Sequence, residues 1–311
     1  MVERRAEIRP RWAFRMPRML GADGVTRRRG GVVMRLLHVE GEPVVVRAAQ
    51  PSVSRVVVGA QAERADLAEE GIARMRFALG VDDDLSAFHE RFRFDPLIGP
   101  VVRSTPWLRP TRRPDPFEAL AWAVTEQLID YPRAAAIQRR IVWRIGRRCE
   151  RTGLRDLPSA DRLGRQAPAL LESLDLAHAR SVALVKVARE VAAGRIDLRS
   201  PDHEHGWRRL RAIRGIGSWT IGITAYLGQG RHDVLPAGDL NYVKLVARLR
   251  TGGNPHARAT EEEVLDFFAP YAPWCGLAGT YALRTPVTRL ESAPRRAGTP
   301  SSAPAPDPLA A

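Results

Sequence analysis

The sequence predicts two folded parts in series: an α+β domain, a small antiparallel sheet with a helix, followed by an all-α domain. Three observations lead there. Short β-branched runs crowd the N-terminal third. From about Pro116 apolar residues recur at helical spacing, interrupted only by short polar or Gly/Pro breaks. The 311-residue length is enough for two packed domains.

The elements follow in order. A basic lead-in, Arg9 to Arg18, contains Trp12 and Phe14. Val32 to Val39, Val44-Val45-Val46 and Val56-Val57-Val58 read as strands. Glu40-Gly41-Glu42-Pro43 turns between the first two, and Gln50-Pro51-Ser52 precedes the third. A helix is expected from about Ala62, with Leu67, Ile72, Met75 and Leu79 as its apolar stripe and Gly80 as its C-cap. Helices are then predicted at Phe117–Gln127, Ala134–Arg147, Ser159–Leu174, Ala179–Ala193 and Trp207–Ile213. Gly253-Asn254-Pro255 separates the last two long helical stretches. The expected domains are 1–98 and 99–290, with an Ala/Pro/Ser/Arg-rich tail at 291–311 expected to be disordered.

A chain 44% hydrophobic and 27% charged is of ordinary globular composition. Its net charge of +14 and pI near 11.0 are not ordinary and favour a polyanionic partner, nucleic acid or an anionic membrane surface. A bias towards arginine contributes, since Lys186 and Lys244 are the only lysines, but it does not account for the excess of basic over acidic residues. Cys149 and Cys275 allow at most one bridge and cannot supply a four-cysteine iron–sulfur cluster, which points to a reducing compartment. Met1 to Pro10 has no apolar signal region, and no run approaches the ~20 apolar residues of a membrane span, so a cytoplasmic, nucleoid-associated protein without a membrane partner is expected.

The most informative segment runs from Leu210 to Ile221. Leu210 and Ile213 share a helix face ending at Gly215, and a second helix starts at Ser218 or Trp219. Gly215-Ile216-Gly217 permits a tight reversal, with Ile216 plugging the seam between the helices. The first amides of the second helix lack internal partners and suit a phosphate. Downstream, Leu235-Pro236-Ala237-Gly238-Asp239 leads into a helix with Leu240, Val243, Val246 and Leu249 on its apolar face. Asp239 is a good N-cap there, a role compatible with catalysis, because a capping carboxylate is held rigid.

The hairpin resembles the helix-hairpin-helix motif of DNA-repair proteins, which grips the backbone without reading sequence. A hairpin, a Gly/Pro loop and an Asp, in that order, resemble the helix-hairpin-helix–Gly/Pro/Asp glycosylase superfamily. Over about residues 10–290 the chain is similar to the 3-methyladenine DNA glycosylase II (AlkA) group. The match is carried by Gly215-Ile-Gly-Ser-Trp-Thr220 with Asp233-Val-Leu-Pro-Ala-Gly-Asp239, and supported by Pro116-Phe-Glu-Ala-Leu with Gln127 and by Ala272-Pro-Trp274. The resemblance implies a TBP-like N-terminal domain ahead of a helix-hairpin-helix glycosylase domain. It implies base excision repair: flipping of a damaged base from double-stranded DNA and hydrolysis of its glycosidic bond by a monomeric, monofunctional enzyme, leaving an abasic site.

In that reading Asp239 is the catalytic carboxylate, stabilising the oxocarbenium-like sugar. Gly215, Ile216, Gly217, Ser218 and Thr220 form the DNA-backbone hairpin, and Trp219 and Tyr281 line the base pocket. Leu128, with Ile129 as substitute, is the wedge; ordinary core packing is the other reading of Leu128. Bifunctional members carry a lysine where this chain has Trp219, so water is the expected nucleophile. No cofactor is implied beyond a Na+ or K+ held by the backbone carbonyls of Arg211, Ile213 and Ile216. The chain departs from the group at Glu126, where many members have Gln, at Gly238, where many have a second Asp, and at Leu283 and Ile223, where aromatics occur. His203-Glu204-His205 lacks further metal ligands, and Arg139-Arg140 and Arg147-Arg148 read as solvated faces. Two alternatives remain open: a non-catalytic helix-hairpin-helix DNA-binding protein, and a glycosylase/lyase for oxidised bases.

Overall fold

The computed structural model describes residues 1–17 and 22–285; Arg18 of the lead-in, the expected tail at 291–311 and the end of the expected second domain lie outside the described residues. Five strands, β1 (Val2–Ile8), β2 (Thr26–Arg29), β3 (Val32–Val39), β4 (Glu42–Ser52) and β5 (Arg55–Ala62), form one antiparallel sheet in the order β1-β5-β4-β3-β2. The three valine-rich strands are the centre. Val33, Val44, Val46, Val56 and Val58 bury one apolar face against Leu67, Ile72, Met75 and Leu79 of α1 (Ala65–Leu79). Gly80, at φ 63°, ends that helix in the left-handed region that glycine reaches without strain. The two edge strands read Val-Glu-Arg-Arg-Ala-Glu-Ile and Thr-Arg-Arg-Arg, and no apolar run announces them. Charged edges of this kind discourage a further strand from adding on.

The remainder is mostly helical: α2 (Ser86–Phe92), α3 (Gly99–Ser104), α4 (Pro116–Glu126) and α5 (Tyr131–Ile145), then a two-residue pair, β6 (Arg147–Arg148) with β7 (Arg155–Asp156), then α6 (Ala160–Gly164), α7 (Pro168–Ser173), α8 (His178–Ala192), α9 (His203–Arg211) and α10 (Ser218–Ile223). A π-turn, Thr224–Gly228, continues α10, and α11 (Leu240–Thr251), α12 (Glu261–Phe268) and α13 (Cys275–Ala282) complete the order. The expected helix at Ser159–Leu174 is split, because Pro168 has no amide to donate and starts a helix of its own. The β6–β7 pair likewise corrects the expectation of an entirely helical second part.

Helix α4 is buried on every side from Pro116 to Thr125, as its Phe-Glu-Ala-Leu-Ala-Trp-Ala-Val run requires, and it sits at the centre of one core with α5 to α10. A second core gathers α11 to α13 around Leu85, Phe88, Phe92 and Leu97. By packing, the N-terminal core therefore ends near Val81, which does not coincide with the expected boundary at residue 98. A buried polar joint ties the sheet to the helices. Glu118 of α4 accepts from Arg35 of β3 and from Arg113, Arg113 also bonds Asp23, and Trp122 Nε1 donates to Asp23 at 3.0 Å. Burial pushes the Glu118 carboxyl up to about 7, with Arg35 and Arg113 opposing it.

Candidate active site

The site lies where the two helical cores meet. α9 ends at Arg211, and the chain reverses through Gly215, whose φ of +89° only glycine adopts freely. Ile213 and Ile216 turn inwards and are buried in the first core, so Ile216 fills the seam as expected. Gly217 occupies the N-cap of α10 with extended backbone and supplies no side-chain cap, which leaves the first amides of α10 without a side-chain partner.

α10 then positions the downstream loop. A Cβ on Gly222 would lie 2.9 Å from Pro236 Cα, so the absence of a side chain lets the loop backbone lie directly on the helix. That loop passes from Val234, packed on the first core, to Leu235 and Ala237 in the second, and delivers Asp239 to the start of α11. Asp239 is half-buried, and both of its oxygens are held. Oδ1 accepts from the backbone N–H and from Nδ2 of Asn241, each at 2.9 Å. Oδ2 accepts from Trp219 Nε1 at 3.1 Å. The hairpin and the carboxylate are thus joined through an indole N–H, and cap and candidate catalyst are one residue.

The third part is the loop between α4 and α5. Gln127 Nε2 donates to the Gly215 carbonyl and to Thr220 Oγ1, both at 2.8 Å. Leu128 stands at φ +57° with its side chain fully exposed, which excludes ordinary core packing. Ile129 packs partly against the first core instead.

The chain is 28% identical over 209 residues to the DNA-3-methyladenine glycosylase of Bacillus subtilis (strain 168), an alignment covering 66% of this chain and 68% of that relative. No family model matches. Among solved structures, a 3-methyladenine DNA-glycosylase from Archaeoglobus fulgidus superposes with a TM-score of 0.77 at 21% identity, over 89% of this chain and 96% of that one. An 8-oxoguanine glycosylase/lyase from Clostridium acetobutylicum gives a TM-score of 0.64 at 16% identity, over 84% and 99%. Those two likenesses show the fold. The chain is thus similar in sequence to a DNA-3-methyladenine glycosylase and shares its fold with two DNA glycosylases of known structure.

Within this fold, the side chains of Tyr281 and Thr220 are buried and that of Ser218 is already bonded. Tyr281 is fully buried, donating to the Leu108 carbonyl at 2.8 Å and pairing with His89 Nε2 at 3.0 Å. It sits one helical turn from buried Leu277 on the face of α13 towards α2, so its hydroxyl is spent inside the second core rather than offered to a base. Thr220 is also buried, with its hydroxyl taken by Gln127, and so presents no side chain to a DNA backbone. Ser218 remains exposed, but its hydroxyl donates to Glu261 Oε2 at 2.9 Å. Leu283 is exposed at the end of α13, and Ile223 is half-buried.

Other residues were not anticipated as part of the site. Glu126, which stands where many similar glycosylases have Gln, is half-buried and accepts from Gln138 Nε2 at 3.0 Å. Burial raises its carboxyl pKa, and the charge of Asp239 adds to the rise. Tyr242 and Tyr226 are buried beneath the start of α11, and the Tyr226 hydroxyl meets Thr280 Oγ1 at 2.5 Å. A Tyr one turn past an N-cap Asp was visible in the sequence as Asp239-Leu-Asn-Tyr242, but its inward direction was not. Of the three carbonyls suggested for a monovalent cation, that of Ile213 already accepts from the Ile216 N–H at 3.0 Å and keeps one lone pair free. No group of three or more His, Cys, Asp or Glu side chains placed to hold a metal occurs among the described residues.

Proposed function

We propose that this protein is a monofunctional DNA glycosylase that hydrolyses the N-glycosidic bond of alkylated purines such as 3-methyladenine in duplex DNA. The observation that carries this reading is the Asp239 carboxylate, held by Trp219 and Asn241 beside the two-glycine turn. Departure of a purine leaves positive charge on the deoxyribose, as in glycoside hydrolysis. A fixed anion beside that sugar stabilises the charge without having to reorient as it forms. Neither Lys186 nor Lys244 is in the hairpin; they lie in α8 and α11, and so water is the nucleophile and an abasic site the product. In this reading Asp239 orients that water and accepts its proton.

The remaining parts fit the same reaction. The open amides at the start of α10 suit a backbone phosphate. Leu128 suits the gap left by an extruded nucleotide. Trp219 offers an aromatic face near the carboxylate, and a cationic alkylpurine gains about 1–2 kcal/mol from such a face. The named activity of the Bacillus subtilis relative supports this substrate class. Membership of the AlkA group, a TBP-like N-terminal sheet, a monomeric state, a cytoplasmic setting near the nucleoid, and a Na+ or K+ on the carbonyls of Arg211, Ile213 and Ile216 belong to the same proposal. Incubation with duplexes each carrying one defined lesion tests it. The expected result is release of free alkylated purine, with no covalent adduct on borohydride treatment. A borohydride-trapped adduct would instead favour the lyase, and tight duplex binding without base release would favour a pure binding module.

A further inference from the structure

The loop that presents Leu128 is gripped from two sides. On the hairpin side, Gln127 Nε2 holds the Gly215 carbonyl and Thr220 Oγ1. On the other, Arg180 of α8 reaches across and donates through Nη1 to the carbonyl oxygens of Thr125 at 2.9 Å and Gln127 at 3.0 Å. Both carbonyls lie at the C-terminal end of α4, where no further helical amide follows to bond them. A guanidinium there satisfies them and complements the negative end of the helix.

The grip matters because of what it holds. Leu128 occupies positive φ, which costs a leucine energy and persists only where the surroundings enforce it. Its side chain is fully exposed, so no packing contact of its own keeps it there. Burial lowers the pKa of Arg180 and the charge of Arg133 adds to this, while Asp175 opposes it; a charge kept in such surroundings needs partners, and the two carbonyls are those partners.

We propose that Arg180 is a positioning residue: by clamping the carbonyls of Thr125 and Gln127 it holds Leu128 in the outward conformation that fills the space vacated by an extruded nucleotide. This rests on the glycosylase reading. Without the clamp the loop relaxes, and the loss falls on substrates whose base has to be pulled from an intact stack. A lesion already unstacked makes little demand on Leu128 and is spared.

Single-turnover base release separates the two cases. The same alkylated purine is placed either in a fully paired duplex or in a bulge, and wild type is compared with Arg180→Ala, Arg180→Lys and Leu128→Ala. Arg180→Ala is expected to lose about tenfold on the paired substrate, the scale of a lost charged hydrogen bond, and less than about threefold on the bulge. Leu128→Ala is expected to show the same split, and Arg180→Lys to recover part of the loss, since an ammonium reaches one carbonyl. An equal loss on both substrates, or none on the paired one, overturns the proposal while leaving the glycosylase reading intact. Wild-type silence on both overturns that reading and the proposal with it.

Discussion

At Asp239 three donors, Trp219 Nε1 and two N–H groups of Asn241, converge on one carboxylate. A carboxylate so held points in one direction before any substrate arrives. The indole therefore does two jobs, presenting an aromatic face and fixing Oδ2. Trp219→Phe separates them, because it keeps a ring and removes the N–H. Loss of a hydrogen bond to a charged group is worth about 1.5–3 kcal/mol. Base release by this variant is expected to fall at least about tenfold in single-turnover assays, with affinity for abasic duplex little changed. Full activity would mean that Asn241 alone aligns the carboxylate. The place of Asp239 next to the hairpin was legible in the sequence because a Gly/Pro loop ending in Asp follows the two-glycine turn. The bond from Trp219 was not, since periodicity places a residue on a helix face without saying which way a ring N–H turns.

Elements were legible where one signal sufficed. α1 follows its stripe from Leu67 to Leu79 and stops at Gly80, and the hairpin turns at Gly215. They were lost where tertiary partners decide. α2 has its apolar residues at Phe88 and Phe92 and looks like the end of the first domain, yet it packs against α13 through His89 and Tyr281. Tyr281 donates to the Leu108 carbonyl, so His89 meets it as the donor, through a protonated Nε2 of a neutral ring. Burial, with the nearby Arg109 charge, pulls His89 down to about 4. A histidine with a depressed folded pKa contributes stability that is present above its unfolded value and is lost as pH falls through the interval between the two. The loss here falls between pH 6.5 and about 4 and amounts to on the order of 2 kcal/mol, allowing for water at the ring edge. Denaturant midpoints measured across that interval should fall with pH in the wild type and more gently in His89→Gln. Equal slopes in the two proteins would contradict the assignment.

For the whole molecule, the sheet centre was legible in its valines, whereas β1 and β2 were hidden because edge strands rich in Arg and Glu carry no apolar run. The two-core arrangement was not legible either. It arises because the chain sends α2 and α3 forward to join α11 to α13, leaving the loop from Val234 to Asp239 as the bridge between cores. A net charge of +14 on this frame suits a polyanion, and the hairpin, the exposed Leu128 and the held carboxylate share the junction. The most direct measurement is the single-turnover rate of 3-methyladenine release by Asp239→Asn from duplex DNA that it still binds. The carboxamide keeps the size of the side chain and removes the anion, so the rate should fall by at least about a hundredfold, the scale of a lost preorganised electrostatic contact. Release at near wild-type rate would contradict the account.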